Sequence, residues 1–194
     1  MDNTEMPSGV DVQIGDIYFS GRAVTLRSIL GSCISVCLYS QSTRHAGMNH
    51  ILLPGSVQHG DEAVTRYGLN SMEMLLNCFI KQNLNPGALK AKIFGGASLH
   101  DHKDTVSVGR RNIAFVQAYL NERGIPIIEN DTGGNFVRNI RFNTSDYKVT
   151  VKRLPMQQYS TLVQKNEVVY SKELKKQVQQ RKDNLSQIRK KAFL

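Results

Sequence analysis

The sequence predicts an α+β fold: a layered α/β sandwich with a mixed, largely antiparallel sheet and two main helices, followed by a basic C-terminal helical tail. Three observations carry that reading. Short apolar and β-branched runs pair into hairpins near both ends of the first 155 positions. Two segments with apolar residues at helical spacing lie between them, and beyond Leu154-Pro155 the composition turns to Gln, Lys and Arg.

In chain order, Val10 to Phe19 alternates like a strand, and Ser20-Gly21 punctuates it. Ile34 to Tyr39 and Gly47 to Leu53 are apolar runs around the polar Ser40 to His45, the pattern of an antiparallel hairpin closed by Pro54-Gly55. The loop from Gly55 to Thr65 leads into a helix with Met72, Leu75, Leu76, Phe79 and Ile80 on one face, and Asn85-Pro86-Gly87 ends that segment. Ala91 to Phe94 reads as a strand running into Gly95-Gly96. A polar loop, Ser98 to Ser107, precedes a second helix from about Arg110, striped by Ile113, Val116 and Leu120, with Gly124 placed as a C′ glycine. Ile125 to Glu129 is a strand, Asp131 to Asn135 a glycine turn, and Phe136 to Phe142 with Tyr147 to Arg153 the last hairpin. The chain thus divides into a polar N-terminal segment (1–9), one domain (10–155) and a basic extension (156–194).

Charge is concentrated in that extension. From Lys165 to Leu194 there are nine Lys/Arg against Glu167, Glu173 and Asp183, a net +6 out of +9 for the whole chain. A helix over Ser171 to Lys191 has few apolar residues and reads as a solvated or partner-docking appendage. Such a tail suits an acidic protein surface or a nucleic acid, but the body lacks an aromatic-rich basic motif, so no nucleic acid partner is expected. No run approaches the roughly 20 apolar residues of a membrane span, and the start is polar, so a cytoplasmic protein without membrane insertion is expected. Cys33, Cys37 and Cys78 are too few and too scattered for a disulfide framework or a zinc knuckle. His100-Asp101-His102 with Asp104 is a lone H-x-H in a polar loop, and the paired glycines lack nucleotide-binding spacing. Neither a metal nor a cofactor is therefore expected.

One pair stands apart. Cys33 follows Leu30-Gly31-Ser32 at the start of a hairpin strand, beside a glycine turn rich in backbone N–H groups. A hairpin centred between Gln41 and Ser42 sets Cys33 directly opposite His50, with Cβ atoms about 4.5–5.5 Å apart on one face. A slip of one residue would send the two to different faces. An imidazole beside a thiol is chemically useful because the thiolate is the nucleophile and the imidazolium can protonate a leaving amine. Spacing alone leaves open a buried cysteine beside a hydrogen-bonded core histidine.

The strings around this pair resemble a known family. Leu30-Gly31-Ser32-Cys33-Ile34-Ser35-Val36-Cys37-Leu38 and Gly47-Met48-Asn49-His50-Ile51-Leu52-Leu53-Pro54 are similar to the signature of the chemoreceptor glutamine deamidases (CheD). Arg66-Tyr67-Gly68, Lys92-Ile93-Phe94-Gly95-Gly96-Ala97, Gly109-Arg110-Arg111-Asn112 and Asp131-Thr132-Gly133-Gly134 follow in the family's order. The resemblance implies a protein-glutamine glutaminase with a Cys-His-Thr/Ser site, acting on methyl-accepting chemotaxis receptors. It makes Cys33 the nucleophile and His50 the base. The hydroxyl that orients the imidazole falls five or six residues before the cysteine, which favours Ser28, with Thr25 an alternative if the turn is longer. The family also binds a CheC-type phosphatase, so a noncatalytic adaptor is the other function the resemblance allows.

Overall fold

The computed structural model describes residues 9–52, 62–98 and 107–155, together with 165, 168–170, 172–173, 176 and 179–180 of the C-terminal segment. Among the described residues, nine strands and two helices follow in order: β1 (Gly9–Asp11), β2 (Ile17–Ser20), β3 (Thr25–Leu30), β4 (Ile34–Tyr39), β5 (Ala46–Ile51), α1 (Glu62–Ile80), β6 (Lys90–Gly95), α2 (Val108–Glu122), β7 (Ile127–Thr132), β8 (Val137–Asn143) and β9 (Val149–Leu154). A single 3-10 turn, Pro86–Ala88, links α1 to β6.

The class is α+β with mixed pairing, and the strands are shared between two sheets. One runs in the order β1-β3-β8-β9 and the other β2-β5-β4-β6-β7. Two parallel pairs, β1 with β3 and β6 with β7, interrupt an otherwise antiparallel arrangement. The five-stranded sheet is covered on both sides. Ile34, Val36 and Leu38 pack with Met72, Leu75, Leu76 and Phe79 of α1 and with Val116 and Leu120 of α2. Cys37, Met48 and Phe94 pack with Leu26, Leu30, Ile140 and Phe142 of the other sheet. That double cover explains why β4 and β5 are buried at every position and read as continuous apolar runs rather than alternating ones. By contrast β3 alternates, burying Leu26, Ser28 and Leu30 against the central layer.

Three local readings change. The stretch read as one strand from Val10 to Phe19 is two, because the chain leaves the first sheet after Asp11 and joins the second at Ile17. The crossing is fixed by hydrogen bonds from Gly15 N to the His50 carbonyl (2.8 Å) and from His50 N to the Asp16 carbonyl (3.1 Å). Strand β3 did not stand out in the sequence, because Arg27 and Ser28 interrupt its apolar pattern. Ile80 is exposed, outside the buried stripe of α1. The C′ position of Gly124 is as read, with φ of 64° after the α2 cap at Arg123.

Candidate active site

The β4–β5 hairpin has a different register from the one expected. Ser35 pairs with His50, and Tyr39 with Ala46. The turn is centred on the polar run Ser40 to His45, closed by the Ser40 N to His45 carbonyl bond (2.9 Å) and by Arg44 in the left-handed region at φ 59°. Cys33 is therefore not opposed to His50 but lies two residues before its partner. A shift of two preserves parity, so the two side chains keep one face of the sheet as diagonal neighbours, a spacing that longer side chains bridge. That face looks toward β3, and both residues are buried there.

Ser28 comes from β3 across the interlayer space. Its Oγ lies 2.9 Å from His50 Nδ1 and donates to the Val12 carbonyl at 2.9 Å, and the same carbonyl is 3.2 Å from Nδ1. The proton positions follow. The single hydroxyl hydrogen of Ser28 is committed to Val12, so toward His50 its oxygen accepts, and a carbonyl can only accept. Nδ1 therefore carries the ring proton, and the lone pair is on Nε2. That nitrogen is buried with no hydrogen-bond partner among the described residues. Such an orphan costs on the order of 1–3 kcal/mol and calls for a functional explanation. Burial pushes the His50 imidazole down to about 4, against the opposing pull of the Val12 carbonyl and the Asp16 charge. The ring is thus neutral at pH 7. Thr25, the other hydroxyl considered, is three residues away on a period-2 strand and belongs to the opposite face of β3.

The turn bearing Cys33 is held by its backbone. Gly96 N donates to the Cys33 carbonyl (2.6 Å), Ala97 N to the Gly31 carbonyl (2.8 Å), and Asn112 Nδ2 to the Ser32 carbonyl (2.7 Å). Gly95 has φ of 111°, and a Cβ there would strike the Cys33 carbonyl oxygen. One on Gly109 would strike the Gly96 carbonyl, so the start of α2 reaches the turn only because that residue lacks a side chain. Sequence reasoning quoted Gly109 and Asn112 as motif residues without a role, and it missed the Val12 carbonyl. An asparagine at helical spacing from Val116 and Leu120, in line with the buried stripe of α2, was the available signal for Asn112. A backbone carbonyl leaves none.

The remaining candidates separate. Cys37 is fully buried, and burial pushes its thiol far up, out of the range of useful nucleophiles. Cys78 sits on α1, partly exposed. Glu73 pairs with Arg123 of α2. His100, Asp101, His102 and Asp104 lie outside the described residues, and no group of three potential metal ligands occurs among those described. No described helix is long and apolar enough to cross a membrane.

A family model described as CheD chemotactic sensory transduction matches residues 52–153. The chain is 36% identical over 75% of its length to the probable chemoreceptor glutamine deamidase CheD 2 of Burkholderia thailandensis, covering 75% of that protein. It is 43% identical over 69% of its length to the probable chemoreceptor glutamine deamidase CheD of a Caulobacter species, covering 71% of that protein. The chain belongs to the CheD family. A similarly named protein of Herminiimonas arsenicoxydans shares 35% identity over 79% of this chain and 77% of its own. Among solved structures, the Bacillus licheniformis hypothetical protein YfiH is similar over 62% of this chain and 50% of its own, at 14% identity and a TM-score of 0.40.

Proposed function

We propose that this CheD-family chain is a protein-glutamine deamidase that converts chemoreceptor glutamine side chains to glutamate in the cytoplasm through a Cys33 thioester. The observation that carries the reading is His50. Its Nδ1 is fixed by Ser28 and Val12 while Nε2, neutral and without a described partner, shares a sheet face with Cys33. The names of the relatives supply the substrate class.

The steps balance with water as the only co-reactant. Nε2 takes the thiol proton as sulfur bonds to the glutamine δ-carbon, and the carbonyl π pair moves to oxygen. Backbone N–H groups of the Ser32–Cys33 turn are assigned to that oxyanion. The C–N bond then breaks, the imidazolium gives its proton to the departing nitrogen, and ammonia leaves a thioester. Water loses a proton to Nε2, attacks the same carbon, and expels sulfur, which is reprotonated. Because burial favours neutral imidazole, the thiolate–imidazolium pair is formed during attack rather than stored at rest.

The test is ammonia release from receptor cytoplasmic fragments, with mass spectrometry reading a gain of about 1 Da at each modified glutamine, the exchange of NH2 for OH expected of amide hydrolysis. Hydroxylamine should divert the thioester to a γ-glutamyl hydroxamate on the fragment, and Cys33→Ala should form none. Fragments that remain unchanged in mass after prolonged incubation with the intact chain would reject the reading. A noncatalytic adaptor role toward a CheC-type phosphatase has no observation in its favour, whereas the Ser28–His50 contact beside Cys33 supports the catalytic reading.

A further inference from the structure

A cleft of about 500 Å³ opens beside His50, and part of its wall comes from outside the family match. Its base is the crossing segment around Gly15 and Asp16, and α1 contributes Met74, about half exposed. Leu52 also lines it, and in the β4–β5 register Leu52 is the next position across from Cys33. Tyr170 and Glu173, both in helical conformation, also line it. Residues three apart share one helix face, so both side chains reach the cleft from the same face.

Tyr170 is the anchor of that segment. Its ring packs against the interlayer cluster that contains Cys33 and Met48. It also lies over Gly15, so close that a Cβ there would come within 3.0 Å of it. Gly15 in turn holds the His50 backbone through the 2.8 Å bond to its carbonyl. Tyr170 and Glu173, at the start of the basic extension, thus line a cleft that includes the proposed base.

From this placement we infer that Tyr170 is a specificity-determining residue, forming an apolar wall that grips the chain on either side of the glutamine entering the cleft. The inference rests on the deamidase reading and extends it to the substrate: a protein segment whose glutamine has apolar neighbours to lay between the Tyr170 ring and Met74. A flat ring with few rotatable bonds suits that task, since it offers a large contact area at small entropic cost. A free glutaminyl dipeptide is too short to touch the wall and serves as the control.

The experiment is steady-state ammonia release by the full-length chain and its Tyr170→Ala and Tyr170→Phe variants, on a receptor cytoplasmic fragment and on the dipeptide. Matched unfolding midpoints verify folding. Tyr170→Ala should raise KM for the fragment about tenfold with kcat within twofold, about the loss of one buried aromatic contact in binding. Tyr170→Phe should keep wild-type KM, and the dipeptide should be indifferent to both changes. The chain has no tryptophan, so Tyr170→Trp in a Cys33→Ala background gives a single reporter whose emission should shift on adding the fragment. An unchanged KM, equal effects on both substrates, a fall in KM on removing the ring, or a silent reporter would each overturn the inference while leaving deamidation standing. No ammonia release by the wild type from any fragment would overturn the deamidase reading and this inference together.

Discussion

Strand β4 has two ends, and the contrast between them separates stability from chemistry within one hydrogen-bonded element. At the Tyr39 end the interlayer space is closed. Tyr39 stacks on Tyr147 with ring centroids 4.3 Å apart and planes 14° from parallel, and the Tyr147 hydroxyl donates to the Ser40 carbonyl at 3.1 Å. Thr144 Oγ1 accepts from Val24 N (2.9 Å) and donates to the Arg22 carbonyl (2.8 Å), tying the neighbouring loops together. At the Cys33 end the chain uses small residues, spends its backbone carbonyls on anchoring a turn, and leaves a buried imidazole nitrogen without a described partner. His45 Nδ1, in the turn at the other end, is also buried without a partner among the described residues, so what marks the Cys33 end is an imidazole fixed by Ser28 on the same face as a buried thiol.

The contrast is broken most directly by mutating both ends. Cys33→Ala and His50→Ala should each lower kcat/KM on a receptor fragment by at least ~1,000-fold, and the double variant should be little worse, because the proposed nucleophile and base would act as a unit. Tyr147→Ala should do the reverse, with kcat/KM within about threefold and a loss of about 2 kcal/mol in urea unfolding at unchanged m-value. A large catalytic loss at Tyr147, or residual turnover near wild type in Cys33→Ala, would dissolve the distinction.

The pH dependence of stability comes next in size. His50 titrates near 4 in the folded chain against about 6.5 when unfolded, so between those values the unfolded state binds more protons. The stability contributed is fully present above pH 6.5 and is lost as pH falls toward 4, on the order of 3 kcal/mol across the window. His50→Gln should flatten the unfolding curve there. Activity should run the same way, falling only as pH drops through about 4, where the base becomes protonated in the free enzyme. A wild-type stability that does not change between pH 6.5 and 4 would mean that the ring is solvated and not held neutral by burial.

How much of this was legible in the sequence follows the same division. The apolar runs of β4 and β5, the stripes of α1 and α2 and the Gly124 stop announce themselves through periodicity and turn chemistry. Cys33 and His50 were legible because their spacing puts them on one face, and the two-residue error in register did not matter because parity survived it. Strand β3 was hidden by Ser28, a polar residue at a buried position that makes sense only once the imidazole it meets is known. The Val12 carbonyl has no side-chain identity to read. Tyr170 sits in a segment whose composition speaks of charge, and a single aromatic contact does not alter a composition.

Ser28 and Thr25 test the finer part of the site, at about one order of magnitude. Removing the Ser28 hydroxyl leaves the Val12 carbonyl as the sole partner of Nδ1, so the ring keeps its tautomer but loses one hydrogen bond fixing its plane. A net hydrogen-bond contribution of about 1–1.5 kcal/mol corresponds to roughly a tenfold fall in kcat for Ser28→Ala. Thr25→Ala, on the other face of β3, should stay within a factor of about two. Equal losses at the two positions would show that the effect comes from weakening β3 and not from orienting His50.

The smallest expected effect is at Cys37, and it discriminates most finely because Cys37 shares a face and a chemical group with Cys33, which immediately precedes its strand. It lies four positions along, within the closed part of the layer, fully buried among Met48, Phe94 and Ile140. Burial raises its thiol well above the ordinary range, with Lys92 pulling the other way too weakly to prevent it. Cys37→Ala should therefore keep kcat/KM within about twofold and cost about 1 kcal/mol of stability, the loss of one sulfur from a packed site. Alkylation of the folded wild type by iodoacetamide should stop turnover with label at Cys33, while Cys37 reacts only after unfolding. Label at Cys37 in the folded protein, or loss of turnover in Cys37→Ala with the unfolding midpoint intact, would move the chemistry toward the end of β4 that the packing marks as closed.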